Sequence, residues 1–265
     1  MKLLATLRLL PAAGYVVLLY VFILLPVAVL VLFSFQDGRL PVPPLRGLTL
    51  RWYEQVLADP RLMEALWNSA AVAMLSAAVA TVLGFLAAYG LARHAPAGAT
   101  LLRWLLMLPL SVSYLIIGMG LLIFMNTVGL PKSLWAVGIG HVVINLPLAF
   151  AILYSQMGAH QATLERAARD LGALEWQVLL LITVPLLWPA LLAAFFLSVT
   201  LSWDEFIIAF LVTRFEVTLP VEIWSLLRSG LNPATNAVGT LVFGVSMAAV
   251  LVLELLLMAR RRYTS

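Results

Sequence analysis

The sequence predicts an all-α polytopic membrane protein with six transmembrane helices, and three observations carry that prediction. The 265-residue chain is 63% hydrophobic, with a mean hydropathy of +1.05. Only 11% of its residues are charged, against about 25% in a soluble domain, so its main solvent is lipid. Six apolar runs are long enough to cross a bilayer, which takes roughly 20 helical residues.

The first run extends from Ala12 to Phe35. Lys2 and Arg8 precede it, as in a signal peptide, but a signal peptide has an apolar region of about 7–15 residues and a small-x-small cleavage site. This run is far longer, and "VLFSFQDG" offers no such site, so it reads as a retained span. Residues 36–66 contain "GRLPVPPLRGLTLRWYEQVLADP", a proline-rich link followed by a short amphipathic helix. The remaining spans run from Trp67 to Ala92, Leu101 to Met125, Leu134 to Tyr154, Pro185 to Trp203 and Ala234 to Met258. Pro26, Pro109, Pro147 and Pro189 lie inside spans, where neighbouring helices or hydroxyls can satisfy the freed backbone groups. Small residues crowd the second span ("SAAVAMLSAAVATVLG") and recur at Gly118, Gly120, Gly138 and Gly140, which predicts close helix approach in a packed bundle. Residues 204–233, "DEFIIAFLVTRFEVTLPVEIWSLLRSGLNP", are too apolar for a free loop and too broken for a span. They are expected to fold back against the outer half of the membrane.

Orientation follows from lysine and arginine. With both termini cytoplasmic, the inner side holds nine cations: Lys2, Arg8, Arg93, Arg103, Arg166, Arg169, Arg260, Arg261 and Arg262. The outer side holds seven: Arg39, Arg46, Arg51, Arg61, Lys132, Arg214 and Arg228. The terminal "ARRRYTS" is the clearest stop signal. The chain therefore divides into a first span and outer loop (1–63), a five-helix core (64–258) containing a cytoplasmic loop at 157–184, and a tail (259–265).

That loop holds the most polar stretch of the core, "TLERAARDLGALEWQVLLLITVP", residues 163–185. Thr163 is a suitable N-cap and Gly172 a suitable terminator, bracketing a helix of about eight residues. Glu165 with Arg169, and Arg166 with Asp170, stand four apart and are expected to pair. Leu164, Ala167, Ala168 and Leu171 make an opposite, small-residue face. So short a helix is marginal alone, and such a face suits docking into a partner's groove. A second helical stretch, "ALEWQVLLLIT", leads to Pro185.

Here the chain resembles the membrane subunit of a type I ABC importer. That family's cytoplasmic loop reads Glu-Ala-Ala, three residues, Gly, nine residues, Ile-x-Leu-Pro. This chain has Ala167-Ala168, "RDL", Gly172, nine residues, and "ITVP" ending at Pro185. The family's glutamate falls at Arg166; the nearest acid, Glu165, is rotated by about 100° on a helix. Variants beginning "ERAA" are similar to the polyamine branch. The resemblance implies a type I importer permease fold, with the short helix as a coupling helix docking on a separate ATP-binding subunit through Glu165, Arg166, Ala167, Ala168, Asp170, Gly172 and Pro185. "LSWDEFIIAFLVT", "TLPVEIWSLLRSGLNPATNA" and the last span look like the second permease component of spermidine/putrescine-type importers, over most of residues 64–258. It further implies an ATP-binding subunit dimer, a second homologous permease, a solute-binding protein, and a place in the bacterial cytoplasmic membrane.

The chain carries no ATP site of its own. Walker A needs a glycine-framed lysine, and the only lysines, Lys2 and Lys132, lack the glycines. No cofactor is expected: ATP and magnesium belong to the partner. His94, His141 and His160 are scattered, which makes a metal site improbable. There is no cysteine, which excludes disulfides and thiolate chemistry. A net charge of +4 without stacking platforms argues against nucleic acid.

Candidate substrate-path residues are fewer. Asp204 and Glu205, beside Trp203, lie 19 and 20 residues beyond Pro185, roughly 30 Å along a helix. They either hold an amine-rich cation by ion pairing and cation–π contact or form an ordinary interfacial helix end. His141 and Asn145 share a face of the fourth span and either line a path or bond between helices. Asn68 and Asn126 read as interfacial caps, and Glu254 as a partner of Arg260. Polyamine is the first choice of solute, with opines, amino-acid-like compounds or ferric iron as alternatives. A self-sufficient secondary transporter would show midplane ionisable residues and internal repeats. A membrane enzyme would show facing catalytic clusters. Neither pattern is present.

Overall fold

The computed structural model describes residues 2–38, 40–94, 96–230 and 232–264. Arg39 and Ser265 lie outside these, as do the side chains of Lys2, Arg8, Arg260, Arg261 and Arg262, and with them the expected Glu254–Arg260 pairing. The described chain is all-helical apart from loops and one isolated antiparallel bridge, Gln36–Leu48.

The helices are α1 (Lys2–Ser34), α2 (Arg51–Ala58), α3 (Pro60–Arg93), α4 (Ala99–Met107), α5 (Tyr114–Thr127), α6 (Leu134–Gln156) and α7 (Ala159–Asp170). They continue as α8 (Glu175–Val178), α9 (Val184–Trp203), α10 (Ile207–Val212), α11 (Leu219–Ser229) and α12 (Pro233–Thr264). Five stretches are long and apolar enough to cross a membrane: Gly14–Ser34, Pro60–Arg93, Leu134–Gln156, Glu175–Trp203 and Pro233–Val252. The third expected span is not continuous. Ala99–Ser111 and Tyr114–Thr127 meet at a bend of 107°, so the count is five, or six with this pair taken as one crossing. Pro109 is the cause: a proline ring removes an amide and clashes one turn back. The chain responds with a 3₁₀ turn at Leu108–Ser111 and extended backbone at Val112 and Ser113. The fifth span also differs, beginning at Glu175 rather than Pro185, because α8 passes into α9 through a π-helical turn, Leu179–Thr183.

The chain forms two compact units. One comprises residues 1–63 and 223–245. In it the proline-rich link is a folded knot around Gln36, whose side-chain amide donates to Val42 O at 2.9 Å while its main-chain carbonyl accepts from Trp52 Nε1 at 2.6 Å. Ser34 Oγ and Tyr53 OH are 2.6 Å apart, joining the end of α1 to α2.

The other unit comprises residues 64–222 and 246–265. Its centre is the α6–α9 pair, with α5 and α10 packed beside α6. Ile208, Ala209 and Val212 of α10 are fully buried against α5 and α6, so this part of 204–233 folds back onto the bundle. Small residues enable the packing. Ala73, Ala77, Ala80 and Ala88 of α3 are completely buried, and a Cβ on Gly84 would stand 2.8 Å from Phe150 N of α6. On Gly140 it would stand 2.5 Å from Ile208 Cγ2, whereas Gly120 and Gly138 face open space. Asn68 is no cap: its amide donates to Val217 O at 3.1 Å.

The glycine at the α3–α6 crossing gives a test. Gly84→Val should lower the unfolding midpoint in detergent, corresponding to about 1–3 kcal/mol of overpacking. Gly90→Ala, with nothing within 4 Å, should be neutral or stabilising.

Candidate functional site

The charged loop folds differently from its expected outline. α7 starts at Ala159 after Gly158, a full turn before Thr163. Thr163 is thus inside the helix, and its hydroxyl donates to Ala159 O instead of capping. The end is as expected. Gly172 adopts a φ of +88°, and its N–H bonds to Arg169 O at 2.9 Å while Ala173 N bonds to Ala168 O at 3.0 Å. This paired closure needs a left-handed residue, which glycine supplies without a Cβ clash.

The two expected ion pairs within α7 do not form: Glu165 and Arg169 find partners off the helix, and Arg166 bonds to α7's own backbone and Thr163. Glu165 has no exposed surface. Its carboxylate accepts from Arg93 Nε at 2.6 Å and Arg93 Nη2 at 3.2 Å, and from Thr183 Oγ1 at 3.0 Å. Arg169 forks onto Glu175 at 2.7 and 3.0 Å and donates to Tyr89 OH at 3.1 Å. The Glu175 carboxylate pushes the Arg169 guanidinium further up from its ordinary value, so this pair stays charged. Arg166 is exposed and bonds locally to Ala162 O and Thr163 Oγ1. Asp170 is exposed at the helix end, and no ion pair joins it to Arg166 among the described residues.

Burial splits the helix into two faces. Glu165 faces inward, with Ala168 and Arg169 half-buried beside it. Leu164, Ala167 and Leu171, at i, i+3 and i+7, form an exposed apolar ridge flanked by Arg166 and Asp170. Leu171 is 90% exposed, an unusual state for a leucine beside a well-packed bundle. Trp176 is exposed just beyond, and Pro185 is exposed near the start of α9. A ridge of this shape can seat in a complementary groove.

A second constellation joins α3, α6, α9 and α10. His141 Nδ1 lies 2.5 Å from Ser202 Oγ, which lies 3.1 Å from Ser76 Oγ. On the other side, His141 Nε2 lies 3.4 Å from Glu205 Oε2. Glu205 is buried and caps α10, accepting from the amides of Ile207, Ile208 and Ala209 at 3.0–3.2 Å. Both carboxylate oxygens are occupied by protein donors in this conformation. Asp204, by contrast, is exposed at the end of α9. Trp203 is 8% exposed, and its indole N–H has no partner among the described residues. Asn145, one turn from His141, is fully buried with neither amide atom bonded among the described residues.

The structure thus brings His141 and Glu205 together and leaves Asp204 apart at the surface. It also adds Arg93, Tyr89, Thr183, Glu175, Ser76 and Ser202. Arg93 and Glu165 are 72 residues apart, and no local spacing links them. The available signal was Arg93 itself, a cation closing an apolar run.

Comparison with known proteins places this geometry among transport proteins. Residues 80–262 match the family described as binding-protein-dependent transport system inner membrane component. The spermidine/putrescine transport system permease protein PotC of Escherichia coli (strain K12) is 29% identical over 245 residues, covering 92% of each chain. The putrescine transport system permease protein PotI of the same organism is 31% identical over 233 residues, covering 85% of this chain and 83% of that one. Among solved structures, a chain of the bacterial alginate ABC transporter in complex with alginate pentasaccharide-bound periplasmic protein superposes with a TM-score of 0.73. It is 16% identical and covers 95% of this chain and 94% of that one, a likeness of fold.

The Glu205 cap yields a stability prediction. Glu205→Ala removes a capping carboxylate and orphans buried amides, so it should cost about 1–3 kcal/mol. Hydrogen exchange at Ile207–Val212 should rise selectively, while exchange in α7 stays unchanged.

Proposed function

The chain belongs to the binding-protein-dependent transport system inner membrane components, as a permease subunit of an ABC importer, and from that membership we propose that it conducts polyamines across the bacterial cytoplasmic membrane. The support for this solute is the 29–31% identity to the two polyamine permeases over most of both chains. Transport is the role of its relatives, and the chain itself is not an enzyme. In this reading a dimer of ATP-binding subunits supplies ATP and magnesium. A second, homologous permease completes the path as a heterodimer, and a solute-binding protein delivers the cargo. The core at 64–258 carries transport. Counting the bent pair Ala99–Ser111 and Tyr114–Thr127 as one crossing gives six, an even number that keeps both termini on one side; the lysine and arginine distribution supports the cytoplasmic side.

The observation that carries the mechanism is the exposed ridge of α7. Leu164, Ala167 and Leu171 with Arg166 and Asp170 dock in a cleft of the ATP-binding subunit. Gly172 stops the helix so that only this length projects, and Pro185 lies where the loop rejoins the span. On the solute side, Asp204 beside Trp203 attracts an amine cation, while Glu205 and His141 hold α10 in place and Asn145 lies behind them. A second reading keeps the fold and changes the solute to another small compound: an opine, an amino-acid-like molecule or ferric iron. It is favoured by the occupation of Glu205, which leaves one acid of the Asp204–Glu205 pair for a polycation.

The test is reconstitution in proteoliposomes with the ATP-binding subunit, the second permease and the binding protein. The complex should take up labelled putrescine or spermidine only with ATP, and the purified chain alone should hydrolyse none. Leu171→Asp should abolish capture of the ATP-binding subunit. Asp204→Asn should lower amine uptake several-fold without loss of assembly. Robust ATP hydrolysis by the isolated chain would refute the assignment, and amine uptake unchanged in Asp204→Asn would remove the cation role.

A further inference from the structure

Glu165 points away from the ridge that α7 presents to solvent, and it has no exposed surface with which to touch a docked partner. Its carboxylate instead closes a junction of three elements. Arg93, the last residue of α3, grips it with a fork. Thr183, the last residue of the π-turn that leads into α9, donates to the same oxygen that Arg93 Nη2 reaches. The Thr183 hydroxyl also reaches Val178 O at 3.3 Å, so the side chain that holds Glu165 is itself tied to the turn before α9. Such turns recur at functional sites.

Stability alone does not explain this arrangement. A buried ion pair often contributes no more than well-packed apolar residues of the same volume. What a fork plus a third donor adds is direction: the carboxylate can neither rotate nor slide without losing a bond. The other ion pair of α7, Arg169 with Glu175, is also forked but is 30% and 67% exposed, with no third donor on its carboxylate among the described residues. The spans that Glu165 grips are joined again further along, at the middle of α3 and near the other end of α9. Ser76 of α3 meets Ser202 of α9 at 3.1 Å, about 25 Å along α3 from Arg93. Two helices pinned at two levels about 25 Å apart move as one body.

We propose that Glu165 is a positioning residue for transport: it carries displacement of α7 to α3 and α9 together and makes no contact with the ATP-binding subunit. This rests on the permease reading above. The role differs from that implied by the motif resemblance, in which Glu165 belongs to the docking surface.

The chain has no cysteine, so spin labels can be placed at Thr163→Cys on α7 and Leu86→Cys on α3 in the assembled complex. In the otherwise native chain the label–label distance should be narrow and the same with and without ATP. In Glu165→Gln, which removes the charge but keeps the shape, it should broaden and become nucleotide-dependent. The same variant should keep its ATP-binding subunit and hydrolyse ATP, while transport per ATP falls roughly fivefold or more. The exchange Arg93→Glu with Glu165→Arg should recover transport relative to either single change. Unchanged distances and unchanged transport per ATP in Glu165→Gln would overturn the proposal. So would loss of the ATP-binding subunit, because that outcome belongs to a docking residue. The unsubstituted complex tests the permease reading by itself, and the ratio of variant to unsubstituted tests the joint.

Discussion

Hydrocarbon offers a backbone no water, so every interruption of a helix in this chain must carry its own hydrogen-bond partners. The departures from a simple six-helix bundle follow from that constraint. At Pro109 the chain gives up regular helix and closes a 3₁₀ turn, which redirects it by 107°. Beyond Trp203 it starts a new short helix at right cost only because Glu205 receives three amides that have no earlier carbonyl to meet. Between α8 and α9 it widens into a π-turn with Thr183 bonding back to Val178. Each break is matched by a polar side chain or a tighter ladder at that same place.

Packing supplies the second requirement. Between helices in lipid the hydrophobic effect offers little, and close approach with polar contacts replaces it. α3 lies against α6 where Gly84 leaves room for the Phe150 backbone, and α10 fits onto α6 at Gly140. Polar side chains then join these surfaces across the unit, from Ser76 through Ser202 and His141 to Glu205. Glu205, whose sequence neighbours allowed either a cation ligand or a helix end, is the last link of that chain and caps α10.

Much of the architecture was legible because hydropathy and span length are strong, local signals. The first and fourth spans were placed within a few residues, the second ended as expected but begins seven residues earlier, at Pro60, and the last starts one residue from its expected place. Gly172 was readable because a left-handed stop has a preferred residue. What could not be read was anything decided at a distance. Four-residue spacing pointed Glu165 at Arg169, but a buried fork from Arg93 is a better partner than an exposed neighbour on the same helix. Thr163 looked like a cap because threonine favours that position, although the "AHQA" before it, with its two alanines, is itself good helix sequence. The bend at Pro109 was invisible because proline is tolerated in other spans, among them Pro147 and Pro189 inside intact helices.

Residues 14–26 of α1 are exposed on every side, in contrast to the interlocked helices of the larger unit. Nothing else among the described residues covers them, so folding of the chain asks only that they be apolar. Their outward faces are left for whatever surrounds the chain, hydrocarbon or the flank of a companion subunit. The segment thus serves the chain's surroundings more than its interior.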